Sequence, residues 1–515
     1  MKPMPETLST PTQHLAIIHI GASAISMIIM ENEGEIRRQV EFLEQPVPLG
    51  RDIFSEGIIT RATIERCVEI LHSYLQVLQE YSLKTTDLQR LVVTNIVAEA
   101  SNHDVLLNRI SVSTGLKLEL LDDGEMTCLI YLKTRRRLLD TPSLSEKTTL
   151  VLHVGPGNTR VILFKKGRIV RYTSYRLGAH RTREAVDPSR LAGPGFIRLI
   201  HDHISGQISQ MLFDFADENI ENIVAIGFEI QLLSPFITLA GLSKCPISKL
   251  RQLVEEASLL SDDELVNRYQ LDFHTAEALI PALVTNLSIA EHFKLNSIQV
   301  PDSDYERGLL MDLAASDTLT IKIQDQVLRH AKVLGRRYQI DPKHARHVAF
   351  LCERLFEILT DLHKLNEHDA LLLQVAAYLH EIGGFISPRN HHKHSEYLIL
   401  NSEIFGLRHH DVDLVAQVAR YHRQSPPKPT HPRYQDLSPS DQIRVSKMAA
   451  LLRVADALER THNQRVKNIH GSQRGNRLIL TLEGVQDAAV ERLALSFKGQ
   501  LFHDIFGLEI VLHEA

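Results

Sequence analysis

Tryptophan is absent from this 515-residue chain, and cysteine occurs four times, at Cys67, Cys128, Cys245 and Cys352. No two of these form a CxxC pair, which argues against a thiolate zinc site and against a disulfide framework. Long apolar runs are missing as well. The richest stretch, Leu15–Met30, is interrupted by His19, Ser23 and Ser26, and it falls short of the roughly 20 apolar residues a membrane span needs. A signal peptide needs a basic flank ahead of such a stretch, and only Lys2 is there. The chain therefore reads as cytoplasmic, with no membrane partner. Strong charge of either sign is lacking too: 57 Lys+Arg against 63 Asp+Glu leave −6 with histidine neutral. That balance excludes coating of nucleic acid by bulk charge, and no specific nucleic-acid partner is expected. What the chain has in excess is histidine, 27 residues.

The length calls for several domains, since a single core stops growing at roughly 250–300 residues. Residues 1–14, with three prolines, read as a flexible tail. From Leu15, short β-rich runs alternate with helical stretches. LAIIHI, SMIIM and RLVVTN read as strands, and Ile64–Tyr81 spaces its apolar residues as a helix does. Pro142–Lys147 reads as a loop. TTLVLHVG then opens a second unit, with a hairpin turning at Lys166–Gly167, a helix over Phe196–Phe215 and the strand NIVAIGF. The grammar occurs twice, which predicts two related α/β domains, 15–135 and 136–316. Residues 317–470 are helical almost throughout, apart from Gly383–Asn390 and the proline-rich loop Ser425–Ser440, where no helix is expected. RLILTLEG, a helix over Ala488–Lys498 and LEIVLHE make 471–515 a small C-terminal α/β unit with no recognisable chemistry. The fold class is α/β followed by all-α.

The helical region concentrates the histidines. Asp341 and Pro342 look like the cap and first position of a helix carrying His344. LLLQVAAYLHEIGG ends in the adjacent pair His380–Glu381, NHHKHSEYLIL brings His391, His392 and His394, and VARYHRQ brings His422. LLRVADALER places Asp456 inside an otherwise largely apolar helix. A buried acid costs several kcal/mol unless it is paired or binds a metal. Imidazoles and carboxylates drawn from separate helices suit a divalent transition metal. Taken singly, each histidine reads as a cap or a satisfied core group, and only His344, His380, Glu381 and Asp456 together favour a metal; His347, His391 and His392 read as surface or supporting residues. Around the cluster lie Arg389, Lys393, Arg420, Arg423 and Lys428. They form either a sink for phosphate or a solvated charged loop.

On these residues the helical region resembles the HD superfamily of metal-dependent phosphohydrolases. The resemblance makes His344, His380, Glu381 and Asp456 the metal ligands, with Glu381 and Asp456 also catalytic. Glu stands where the superfamily has Asp. His394 and His422 fall where binuclear members add ligands. The implied cofactor is Mn, Fe, Ni, Co or Zn, and Lys393, Arg423 and Arg389 would meet substrate phosphate.

The whole chain from about 15 to 470 resembles the exopolyphosphatase/guanosine pentaphosphate phosphatase family. HEIGGFISPRNHHKHSEYLILNS, VARYHRQSPPK and SDYERGLLMDL, with Arg307, carry the likeness. It implies two actin-like (ribonuclease H-like) domains, an HD-type helical domain, a homodimer, and a phosphorylated small molecule or polyphosphate as partner. HIGASAIS and HVGPGNT match the family's phosphate loops, but their charged positions differ. His19 stands for the first Asp, Ala98 for an Arg, Met126 for the catalytic Glu, His153 for the second Asp and Arg160 for a Glu. The later glycine-rich loop is reduced to GFEIQ, starting at Gly227. A one-residue gap would restore Glu125 in place of Met126. Without these acids Mg at the N-terminal cleft is not expected, and the cleft reads as a pseudo-active site. Phosphohydrolase activity is then expected in the HD domain. The alternatives are a non-catalytic sensor of polyphosphate or guanosine tetra- or pentaphosphate, and a conventional exopolyphosphatase.

Overall fold

A computed structural model describes residues 13–33, 36–84, 88–121, 123–140, 146–186, 193–237, 243–301, 313 and 323–514. Most of the expected tail, most of Pro142–Lys147, and SDYERGLLMDL apart from Leu313 lie outside them. The chain divides into two compact units, Met1–Asp317 and Thr318–Ala515.

The first unit holds two sheets of one design. Strands β1 (Gln13–Ile20), β2 (Ala24–Glu33), β3 (Ile36–Pro46), β4 (Leu88–Thr94) and β5 (Glu119–Leu121) lie in the order β3-β2-β1-β4-β5. The first three are an antiparallel meander, and β4 and β5 add in parallel. The second sheet repeats this with β6 (Thr149–Val154), β7 (Thr159–Lys165), β8 (Arg168–Tyr175), β9 (Asn222–Ile226), β10 (Lys244–Pro246) and β11 (Ser297–Gln299), in the order β8-β7-β6-β9-β11-β10. Both first strands are central and buried on both faces, so they read as continuous apolar runs rather than as alternation. Lys166 and Gly167 turn the β7–β8 hairpin with positive φ at both positions, as a two-residue loop requires. Among the helices, α1 (Arg61–Glu80) lies between β3 and β4 in the chain, α2 (Asp123–Asp140) between β5 and β6, α3 (Pro194–Asp214) between β8 and β9, and α4 (Phe273–His292) between β10 and β11. Gln13 and His14, expected in the tail, belong to β1, where His14 pairs with Glu31.

The second unit contains α5 (Gln324–Arg337), α6 (Pro342–Ile358), α7 (Glu367–Leu379), α8 (His391–Leu400), α9 (His409–Arg420), α10 (Pro439–Leu458), α11 (Ala489–Lys498) and α12 (Gln500–Phe506). A three-stranded sheet, β12 (Asn468–Arg474), β13 (Arg477–Glu483) and β14 (Glu509–Glu514), closes it. Helix α10 is the centre. Its Met448–Leu458 stretch is buried throughout, and α6, α9, α11 and α12 all pack on it. Two expectations need correction. A short helix, Pro432–Gln435, forms inside the Ser425–Ser440 loop, because Pro432 occupies its first turn, where proline is tolerated. Residues 471–515 are not separate from the helices: β12 starts before that boundary, and α11 and α12 pack on α10. No described helix is long and apolar enough to cross a membrane.

Candidate functional site

In the second unit, Asp341 caps α6 by accepting from the N–H groups of Lys343 at 2.9 Å and His344 at 3.3 Å. Pro342 fills the first turn. Starting the helix there sets His344 among α6, α7 and α10, which pack on one another. His380 follows the last residue of α7, and its Nδ1 donates to the Ala377 carbonyl at 2.8 Å. A carbonyl can only accept, so the ring's lone pair is on Nε2. Just beyond, Gly383 permits close packing, since a Cβ would run into the His391 carbonyl and the Ser395 N–H.

His344 Nε2 lies 3.8 Å from an oxygen of Glu381 and 3.8 Å from Asp456 Oδ1. The donors fall into two triads that share His344: with His380 and Asp456, and with Glu381 and His462. Within each, the ligating atoms lie within 4.8 Å of one another, and since two bonds of about 2.2 Å to one ion span at most about 4.4 Å, donors at the outer edge of that range would draw in slightly on binding. Both nitrogens of His344 and Nε2 of His380 are buried without a hydrogen-bond partner among the described residues. Such orphans normally cost about 1–3 kcal/mol each. The donor set therefore fits a divalent transition metal. Burial, with His380 alongside, pushes His344 down to about 4, so it is neutral at pH 7 and offers the lone pair of one ring nitrogen. Asp456 behaves oppositely. Burial would raise it, but Lys498 and the imidazoles of His380 and His422 hold it well below the usual carboxylate range.

The structure thus brings His344, His380, Glu381 and Asp456 together, as two overlapping triads rather than one four-ligand set. His422 joins them, its ring 5.0 Å from that of His380 and its Nδ1 donating to Ala419 O at 2.6 Å. His394 belongs to neither triad. His391, at the first position of α8, meets His422 instead, with the two Nε2 atoms 3.1 Å apart. Arg423 reaches His391 at 3.2 Å, whereas Arg420 is engaged by Glu396. Arg389, Lys393 and Lys428 are exposed. Sequence reasoning missed His462, stacked 3.6 Å from the His344 ring, and Lys498, which pairs with Asp456. Neither carried a local signal, since Lys498 lies 42 residues from its partner.

In the first unit, the two phosphate-loop matches are built alike. Gly21 N–H closes onto Ala24 O at 2.8 Å, and Gly155 N–H onto Asn158 O at 3.0 Å. With Met126 and Arg160 they line a pocket of ≈ 90 Å³ that includes His19 and His153. Burial holds His19 down at about 4. Glu125 is not in the lining: Arg90 grips both its oxygens, at 2.6 and 3.3 Å. Arg160 pairs with Asp123. Ala98 is exposed in the 3₁₀ turn Asn95–Glu99 and is also outside the lining. At GFEIQ, Gly227 takes a φ of 145°, and burial raises Glu229 to about 7.

Two sheets that share the order three-two-one-four, the second continuing with β11 and the antiparallel edge strand β10, followed by a helical unit, define the class: an actin-like pair with an added helical domain. The chain belongs to the Ppx/GppA phosphatase family, whose description matches residues 28–317, more than half of it. Residues 328–498 match the Ppx/GppA phosphatase domain III. The chain is similar to the guanosine-5′-triphosphate,3′-diphosphate pyrophosphatase of Photobacterium profundum, 22% identical over 472 residues and 91% of each chain. The protein of the same name from Vibrio parahaemolyticus is 21% identical over 441 residues, covering 85% of this chain and 86% of that one. An exopolyphosphatase structure from Cytophaga hutchinsonii is 16% identical with a TM-score of 0.49, covering 59% of this chain and 98% of that one.

Proposed function

We propose that this family member is a metal-dependent phosphohydrolase whose working centre is an HD-type set, His344, His380, Glu381 and Asp456, in the helical unit. The substrate is a phosphate ester or anhydride of the nucleotide or polyphosphate class, the chemistry named for its relatives. One observation carries the reading: orphaned, buried ring nitrogens of His344 and His380 converge on an Asp456 held ionised. A transition metal bound there would polarise a phosphoryl oxygen and lower the pKa of a bound water. The chain's own groups supply the rest. The Ala377 carbonyl fixes the His380 tautomer. Glu381, partly exposed beside His344, is placed to accept a proton from an attacking water. Arg423, with exposed Arg389 and Lys393, offers donors to the substrate phosphates.

In this reading the N-terminal pocket is a pseudo-active site. Mg²⁺ is held by oxygen ligands, carboxylates above all; the lining offers the neutral oxygens of Ser23, Ser26, Thr94 and Asn158 beside His19, His153, Met126 and Arg160 but no carboxylate, and the nearby acids Glu125 and Asp123 pair with arginine. The deciding experiment uses the full chain with Mn²⁺ and a panel of guanosine polyphosphates and polyphosphate. His380→Ala is expected to lower both bound Mn²⁺ and turnover by at least about 100-fold, beyond the ~10–100-fold that changes in supporting residues produce. Turnover untouched by His380→Ala would remove the proposal. Tight binding without turnover under any divalent ion would replace it with the sensor reading.

A further inference from the structure

The strongest unexplained feature of the second unit is a lysine in its histidine–acid cluster. Lys498 ends α11, in the segment expected to have no chemistry, yet its ammonium pairs with Asp456 Oδ2. The pair is largely buried, with side-chain exposures of 15% for Lys498 and 7% for Asp456. Desolvating an ammonium is costly unless it is paired, so the contact is a built feature and not a surface ion pair. A second arrangement holds it in place. Arg453, one turn before Asp456 on α10 and 3% exposed, donates Nε to the Lys498 carbonyl at 3.0 Å. Its Nη1 donates to the carbonyls of Tyr421 and Gln424 at 3.1 Å each. One buried guanidinium thus fastens the backbone of Lys498 and the segment carrying His422 beside the same carboxylate.

We propose that Lys498 is the resident counter-ion of this centre and sets its affinity for a divalent cation, with Arg453 as the residue that positions it. The inference rests on the metal reading above. Lys498 occupies one oxygen of Asp456, leaving Oδ1, the oxygen that faces His344, for an ion. Its charge also opposes a second cation. At a separation of about 5 Å and an effective dielectric near 20, repulsion between an ammonium and a divalent ion exceeds a tenfold factor in affinity. Lys498 is therefore an affinity-setting residue, which keeps the centre weak for metal and leaves it one oxygen of Asp456.

The test is calorimetric titration of the full chain with Mn²⁺ alone. Lys498→Met is expected to tighten Mn²⁺ binding at least about tenfold, and Lys498→Gln, which keeps an amide donor without the charge, to tighten it similarly. Lys498→Arg retains the charge and is expected to stay within about threefold of wild type. Should the Met variant fail to fold, as circular dichroism would report, the Gln variant carries the test. A merely structural lysine would loosen the site when removed, so tightening discriminates. Wild-type Mn²⁺ binding that His380→Ala abolishes, with Lys498→Met and Lys498→Gln at or below wild-type affinity, overturns the role of Lys498 and leaves the metal reading standing. Binding by Lys498→Met but not by wild type supports it in its strongest form. Mn²⁺ binding by neither wild type nor either uncharged variant overturns both.

Discussion

His19 and His153 in the first unit and His344 and His380 in the second are the same chemical group in different company. Around the N-terminal pair, the nearby acids Glu125 and Asp123 are engaged by Arg90 and Arg160. Around the C-terminal pair, Asp456 and Glu381 face the imidazoles within about a ligand-to-ligand span. The buried acids sharpen the contrast. Burial raises Glu229, with Asp272 nearby adding to the effect, whereas Asp456 is buried yet held ionised by Lys498 and two histidines. What separates the two places is what the partner leaves of each carboxylate: Arg90 takes both oxygens of Glu125, whereas Lys498 takes one oxygen of Asp456 and leaves Oδ1 facing His344.

The largest expected effect that bears on this contrast concerns Arg90. If Glu125 is structural, Arg90→Met strands a buried carboxylate and should destabilise the chain by about 3 kcal/mol in urea unfolding. A loss below about 1 kcal/mol would return Glu125 to the list of free acids. Next is pH. Glu229 binds its proton up to about 7 in the folded state but only to about 4.5 unfolded, so the folded chain holds more protons in that window. Stability should therefore fall as pH rises from about 4.5 to about 7, by up to about 3 kcal/mol, and Glu229→Gln should flatten that part of the profile.

Smaller is the cap of α6. Asp341→Ala removes the acceptor for the Lys343 and His344 N–H groups; about 1 kcal/mol of stability should go with it. If His344 is a ligand positioned by that cap, Mn²⁺ affinity should drop in parallel. The smallest effect is the most telling. His19→Ala and His153→Ala, singly and together, should leave phosphohydrolase turnover within about twofold of wild type, an interval of roughly 0.4 kcal/mol. A collapse in either would move the chemistry back to the N-terminal pocket and break the comparison.

Most of the fold was legible because its signals are local. The central strands β1, β4, β6 and β9 announce themselves as apolar runs, and the Lys166–Gly167 hairpin by its turn residues. The helix over Pro342–Ile358 is marked by Asp341 and Pro342. Strand β12 escaped notice because its NIHGSQR is mostly exposed and shows no apolar alternation. In the cluster, Asp456 stands out as an acid inside an apolar helix, and His344, His380 and Glu381 stand out beside it through the resemblance to the HD superfamily. His462 follows the end of α10 in a left-handed backbone conformation that no motif foretells. The sequence makes His391 a supporting residue and His394 a candidate ligand, yet His391 is the one that meets His422.

By itself, then, the order of residues determined the elements, the doubled sheet grammar and the histidine-and-acid inventory, since strand, helix and cap preferences act over a few neighbouring positions. Only the tertiary structure decided which acid each cation takes: Arg90 with Glu125, Arg160 with Asp123, Lys498 with Asp456. Those pairings join residues 35 to 42 positions apart, and ion pairing depends on distance and desolvation in space, quantities that separation along the chain does not encode.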